Sequence, residues 1–125
     1  MKRIKIKAGK VEVVAQLNDS ATARRIWESL PISASVRTWG EEIYFPIPVA
    51  VVPQNLVDIV QKGDLAYWPD GRCLCIFFGP TPISSGDEIK PASSVEVIGK
   101  VLSQPEEFKA VSSGEKIILQ KADGD

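Results

Sequence analysis

Arg3, Lys5 and Lys7 alternate with Ile4 and Ile6, and a second apolar or alternating run occupies positions 10–17, with Ala8-Gly9 between them. A period of two places alternate side chains on opposite faces of a strand, so residues 2–7 and 10–17 predict a β-hairpin. The period then changes. Ala23, Ile26, Trp27 and Leu30 fall at i, i+3, i+4 and i+7, which makes one apolar helix face. Asn18-Asp19-Ser20 supplies capping residue types ahead of it, and Pro31 stops it.

Alternation returns at residues 32–39. Ile32, Ala34, Val36 and Thr38 form the expected core face, with Ser33, Ser35, Arg37 and Trp39 on the other. Gly40 breaks this strand and Ile43-Tyr44-Phe45 begins another. Pro46, Pro48 and Pro53 make residues 46–53 an extended crossing loop, because proline cannot donate to a sheet ladder. Leu56, Ile59 and Val60 suggest a short helical turn ended by Gly63. Residues 64–68 and 72–79 predict two more strands about an Asp70-Gly71 turn. The Pro-, Ser- and Gly-rich stretch 80–94 predicts a loop, and residues 95–102 a strand. Ser103 and Glu106 have capping-box spacing before a second helix, with Phe108 and Val111 facing inward. Residues 115–121 give a last strand, and the tail 122–125 is expected to fray. About eight short strands and two short helices predict a mainly β protein, a closed barrel with a helix at each end.

At 125 residues the chain is expected to form one domain, 1–125. A net charge of −1 provides no field to recruit nucleic acid or an anionic membrane. The basic N-terminal face has no interleaved aromatic residues, so a solvated or edge-protecting strand face is expected there. No apolar run is long enough to span a bilayer and no signal peptide is visible, which gives a cytoplasmic expectation. Cys73 and Cys75 share one strand face and are poorly placed for a disulfide. With no histidine and no second cysteine pair, neither metal nor cofactor is expected, and the cysteines read as small buried apolar residues.

Candidate chemistry is sparse. Without histidine a Ser-His-Asp arrangement is impossible, and neither a phosphate-binding loop nor a dinucleotide fingerprint is present. Glu41 and Glu42 are adjacent on a strand, so they point to opposite faces, poor geometry for paired acid–base work. Asp64 follows Gly63 and suits a turn role. Tyr67 and Trp68 must face opposite ways, so one packs inside and the other is exposed or lines a groove. Arg37, with Trp39 two residues on, suits an anionic or carbonyl ligand. Thr81 presents a hydroxyl between Pro80 and Pro82.

Two stretches carry a resemblance. Val11 to Leu30, a strand running through Asn18-Asp19-Ser20 into a helix, resembles the second strand and first helix of cyclophilins. Val95 to Val101, followed by a helix and Lys116-Ile117-Ile118-Leu119, resembles their C-terminal strand–helix–strand. The block from Gly63 to Pro82 looks more like the small prokaryotic cyclophilin-like family of unknown function. In prolyl isomerases of this fold an arginine on the third strand holds the substrate carbonyl, and Arg37 matches it. Gln61-Lys62-Gly63-Asp64 echoes their Gln-Gly-Gly-Asp. The proline-pocket histidine has no counterpart, and Ser35-Val36-Arg37 stands in place of Phe-His-Arg. The resemblance therefore implies a re-purposed cyclophilin-like barrel that binds a small molecule or short peptide in an outer groove near Arg37, Trp39, Tyr44, Trp68 and Thr81. Arg37 is the one catalytic candidate. Weak prolyl isomerisation, or a part in an amide-hydrolysing assembly, are the alternatives.

Overall fold

The computed structural model describes residues 2–122. The expected fraying at residues 123–125 lies outside the described residues. The N-terminal alternation forms β1 (Arg3–Ala8) and β2 (Val11–Leu17), paired as an antiparallel hairpin. Helix α1 (Ala21–Glu28) follows, its start fixed by Ser20, whose Oγ accepts from the Ala23 N–H at 3.1 Å. Such a cap is worth about 1 kcal/mol. The chain then gives β3 (Ile32–Ser35), β4 (Arg37–Thr38), β5 (Glu42–Pro46), β6 (Leu56–Val57), β7 (Asp64–Trp68), β8 (Cys73–Phe77), β9 (Val95–Val101), a 3₁₀ turn at Pro105–Ala110, and β10 (Lys116–Lys121).

The strands form one sheet in the order β3-β10-β1-β2-β9-β7-β8-β5-β4, with β6 added on β9. The alternating positions Ile4, Ile6, Val13, Ala15, Leu65, Leu74, Ile76, Ile98, Ile117 and Leu119 are all buried in one central cluster on the inner face. Ala23 and Ile26 of α1 join it from one side, and Phe108 of the 3₁₀ turn packs on Phe78 with centroids 6.2 Å apart. Tyr67 points inward, its hydroxyl donating to the Val49 carbonyl at 2.9 Å, while Trp68 points outward.

A second cluster lies on the outer face. Ala66, Cys75, Phe77 and Val95 are buried there beneath Val60 and Ile89, which bridge the chain segments covering this side. A sheet covered on both faces loses the two-residue polarity alternation. That is why Cys73-Leu74-Cys75-Ile76-Phe77 is an unbroken apolar run, buried at every position.

Several expectations need correction. The sheet has ten strands, and its hydrogen-bonded ladder does not close into a ring. Its two ends, β3 and β4, are consecutive stretches of chain joined through Val36, so residues 32–39 do not form one strand. Val36 turns into the core and hydrogen-bonds with the 114–115 turn, which breaks the pairing, and Thr38 is exposed rather than core. The segment around Leu56 is strand, paired with Val95 and Glu96, not helix. Tertiary pairing overrides a weak local preference there, and Leu56 and Ile59 stay exposed. The second helix is a 3₁₀ turn with Gln104 at its start and no side-chain cap. Glu106 pairs with Lys62 instead of serving a capping box. Strand β1 is not an edge, since it pairs with both β2 and β10. Its basic face is solvated, with Lys5 and Lys7 at 3.9 and 3.7 Å from Glu12. No helix among the described residues is long and apolar enough to cross a membrane.

Candidate functional site

Register places the site. Tyr44 of β5 lies opposite Cys75 of β8, and Cys75 lies opposite Ala66 of β7. Glu42 and Trp68 sit on the same outer face, one step to either side of that row. Between this face and the Pro91-Ala92 segment is a cleft of about 240 Å³, lined by Trp39, Glu42, Tyr44, Trp68, Cys75, Pro91, Ala92 and Val95.

Its walls are fixed from several directions. Tyr44 and Trp68 meet edge to face, with centroids 6.1 Å apart and an interplanar angle of 82°. The Trp68 indole N–H donates to Ser93 Oγ at 2.6 Å, and the Ser93 hydroxyl donates to Asp70 at 2.7 Å. This relay ties the covering loop to the β7–β8 turn. In that turn Arg72, not Gly71, takes the positive φ of 51°. Gly71 is needed for space: a Cβ there would lie 2.6 Å from the Trp68 ring. On the other side Trp39 is anchored by its N–H to the Glu42 carbonyl at 2.9 Å. Gly40, next to it, has φ +61° and is crowded by Thr81 and Pro82, so this turn also demands glycine.

Glu42 is the one charged residue in the cleft lining. It is 5% exposed, and its Oε1 is buried with no hydrogen-bond partner. Loss of hydration by burial pushes its carboxyl up to about 7, while a hydrogen bond from the Cys75 thiol pulls the other way. Burial likewise raises the Cys75 thiol well above its usual value, with the Glu42 charge adding to it. Buried carboxyls lacking a full set of partners are uncommon because the desolvation cost is uncompensated. A carboxyl poised near neutrality on the floor of an apolar cleft can accept a hydrogen bond or cation when ionised, and donate when protonated.

Of the sequence-derived site residues, Trp39, Tyr44 and Trp68 are brought together in this cleft. Arg37 lies opposite Tyr44 on the same face but lines a neighbouring shallow depression with Ser33, Ser35, Pro46 and Ser113. Thr81 lines neither. It is buried, its hydroxyl donates to the Lys90 carbonyl, and its N–H donates to Ser84 Oγ at 2.9 Å. Ser84 also accepts from the Lys90 N–H at 3.0 Å, so these residues staple the covering loop. Asp64 takes the turn role, accepting from the Gln61 N–H at 2.8 Å. Sequence reasoning set Glu42 aside as half of a poorly placed carboxylate pair and gave Cys75 only a packing role. The available signal was a carboxylate directly ahead of the apolar run Ile43-Tyr44-Phe45, but its meaning depends on the strand register. Among the described residues no group of three or more His, Cys, Asp or Glu side chains is placed to hold a metal ion.

A family model described as cyclophilin-like matches residues 2–120. The chain belongs to the cyclophilin-like family. This cyclophilin-like protein is also similar to the hypothetical protein AF2241 from Archaeoglobus fulgidus, whose solution structure is known. The two are 39% identical, with 97% of this chain and 95% of that one covered and a TM-score of 0.82. No curated protein matches the chain. The family and the neighbour thus agree on a cyclophilin-like fold of uncharacterised function.

Proposed function

We propose that this cyclophilin-like protein binds a small organic molecule in the outer-face cleft, with Glu42 as the polar anchor and Trp39, Tyr44 and Trp68 as the apolar walls. The observation that carries this reading is the buried, unpartnered Oε1 of Glu42 on the floor of an otherwise apolar concavity. Small-molecule sites have this make-up: concave, mostly apolar, with few polar groups to fix orientation. The cleft volume of about 240 Å³ favours a ligand smaller than a drug-sized compound over a peptide.

The same geometry favours binding over prolyl isomerisation. Arg37, which would have to hold the substrate carbonyl, lines a different depression from the aromatic residues. Catalysis of prolyl rotation depends on donors aimed at the twisted amide from within the binding pocket, and the cleft lining contains neither arginine nor glutamine.

The test is a fragment screen followed by the indole N–H signals of the three tryptophans in ¹H–¹⁵N spectra. Binders are expected to shift Trp39 and Trp68. Trp27, which lies under Lys2 and Lys121 outside the cleft, should stay still. Trp68→Ala should weaken binding at least tenfold. Binders that shift only residues around Arg37, or that are insensitive to Trp68→Ala, would place the binding site elsewhere.

A further inference from the structure

We infer that the ligand of this cleft is a small organic cation, an alkyl- or arylammonium whose charged head rests on the Glu42 carboxylate among the Trp39, Tyr44 and Trp68 rings. The inference rests on the binding reading above and adds the chemical class.

Three observations select a cation. First, the acceptor is already built and unused: Glu42 Oε1 is buried without a partner, whereas the carboxyl's other contact is only the weak thiol donor of Cys75. A ligand donor arriving there removes the cost of an unsatisfied buried oxygen. Second, three of the eight lining residues are aromatic, and a ring's negative face attracts a cation, more strongly when both are desolvated. Third, the lining contains no lysine, arginine, asparagine or glutamine. An anionic head would meet the Glu42 charge with only the neutral Tyr44 hydroxyl and Trp39 indole N–H among the lining donors, and no cationic group to offset it. The Trp68 indole N–H is already committed to Ser93. A neutral alcohol or amide would satisfy Glu42 and pack on the rings but gain no attraction of charge to the ring faces. The anionic or carbonyl ligand expected from Arg37 therefore does not suit this cleft.

A pH signature follows. The titratable groups near Glu42 are Tyr44 on its own strand, Cys75 and Cys73 on β8, and the preceding Glu41, whose side chain lies against Gly79 and pairs with Lys109. Arg37 on β4 is the cation near Cys73. Strands β7 and β9 and the covering loop contribute Trp68, Val95, Pro91 and Ala92, none of which titrates. Both thiols are raised above 9.0 and stay neutral near pH 7. A cation needs Glu42 ionised. With its carboxyl pushed up to about 7, the ionised fraction is about one tenth at pH 6 and about nine tenths at pH 8. Affinity for a cation should therefore rise about tenfold between those values, and binding at pH 6 should release close to one proton.

The experiment titrates the protein with n-butylammonium, butan-1-ol and butyrate at pH 6 and pH 8, following the Trp39, Trp68 and Trp27 indole signals. An alkylammonium stays charged throughout, with a pKa of about 10. The expected result is saturable shifts of Trp39 and Trp68 with butylammonium, at least tenfold tighter than with butanol at pH 8, and a roughly tenfold loss at pH 6. Glu42→Gln, checked as folded by its spectrum, should abolish both the preference and the pH dependence while leaving weak butanol binding. Butanol binding as tightly as butylammonium, through the same two tryptophans, would overturn the cation inference and leave the cleft reading standing. Butyrate as the tightest of the three would do the same. Shifts of neither Trp39 nor Trp68 with any of the three would overturn both.

Discussion

Glu42 sets the behaviour expected at the scale of single residues. Its folded midpoint of about 7 lies above the ordinary 4.5. Between those values the folded chain holds a proton that the unfolded chain has lost. Stability contributed through Glu42 is therefore fully present below pH 4.5, falls as pH rises to about 7, and is flat above. The shift corresponds to about 3 kcal/mol at most. Glu42→Gln, which is neutral at every pH, should remove this decline, so urea unfolding at pH 5 and pH 8 should show the variant gaining on the native protein at the higher pH. Asp64, also raised chiefly by burial, adds a decline of the same sign that both proteins share. The thiols give a second expectation. Cys73 and Cys75 are free and buried, and burial raises both. Since the thiolate is the reactive form, both should alkylate far more slowly in the folded protein than in urea. Cys75, at 1% exposure and beside the Glu42 charge, should be slower than Cys73 at 7%. Rapid labelling of Cys75 in the folded protein would show that the cleft floor is open to water.

Among the elements, the segment between β8 and β9 decides whether the cleft exists. It supplies the Pro91-Ala92 wall and is held by Ser84, Thr81 and the Val60–Ile89 bridge. Ser84→Ala removes the acceptor for two backbone N–H groups at once. A loss of about 1–3 kcal/mol is expected, with faster amide exchange at residues 81–90 and weaker binding in the cleft. Unchanged exchange there would mean that the loop is held by its apolar contacts alone.

The elements also show where the sequence is readable. The β1–β2 hairpin, α1 with its Ser20 cap, and the last strand follow from periodicity and capping chemistry. Each depends on residues close in the chain. Strand β6 and the break at Val36 were not legible, because each is decided by a partner far away, Val95-Glu96 for one and the 114–115 turn for the other. The site divides the same way. Its three aromatic residues stood out as large side chains on or beside one predicted face. Glu42 and Cys75 become a pair only through the β5–β8 register, which two-residue alternation cannot supply. Thr81 and Arg37 were visible for their chemistry, yet one is consumed by loop hydrogen bonds and the other faces a separate depression.

For the whole molecule, topology is the controlling fact. Strand β1 pairs with β10, joining Ile4 to Lys121, and the core is assembled from both ends of the chain. Sheets dominated by such distant pairings fold slowly, in milliseconds to seconds. Stopped-flow refolding should fall in that range or slower; microsecond refolding would contradict the topology. Truncating the core at the shared seam, by Leu119→Ala opposite Ile6, should cost about 2–5 kcal/mol, read from the urea midpoint. The outer-face cleft is a consequence of the same topology. A sheet covered on its second face leaves one concavity where an acidic side chain is buried among aromatic walls. The measurement to make first is therefore the titration of the Glu42 carboxyl by ¹³C NMR in the ligand-free protein, assigned with Glu42→Gln. A midpoint near 7 is expected, and addition of butylammonium should lower it. A midpoint near 4.5 would contradict the reading, because it would mean that Glu42 is hydrated and that the cleft holds no unsatisfied buried carboxylate for a ligand to meet.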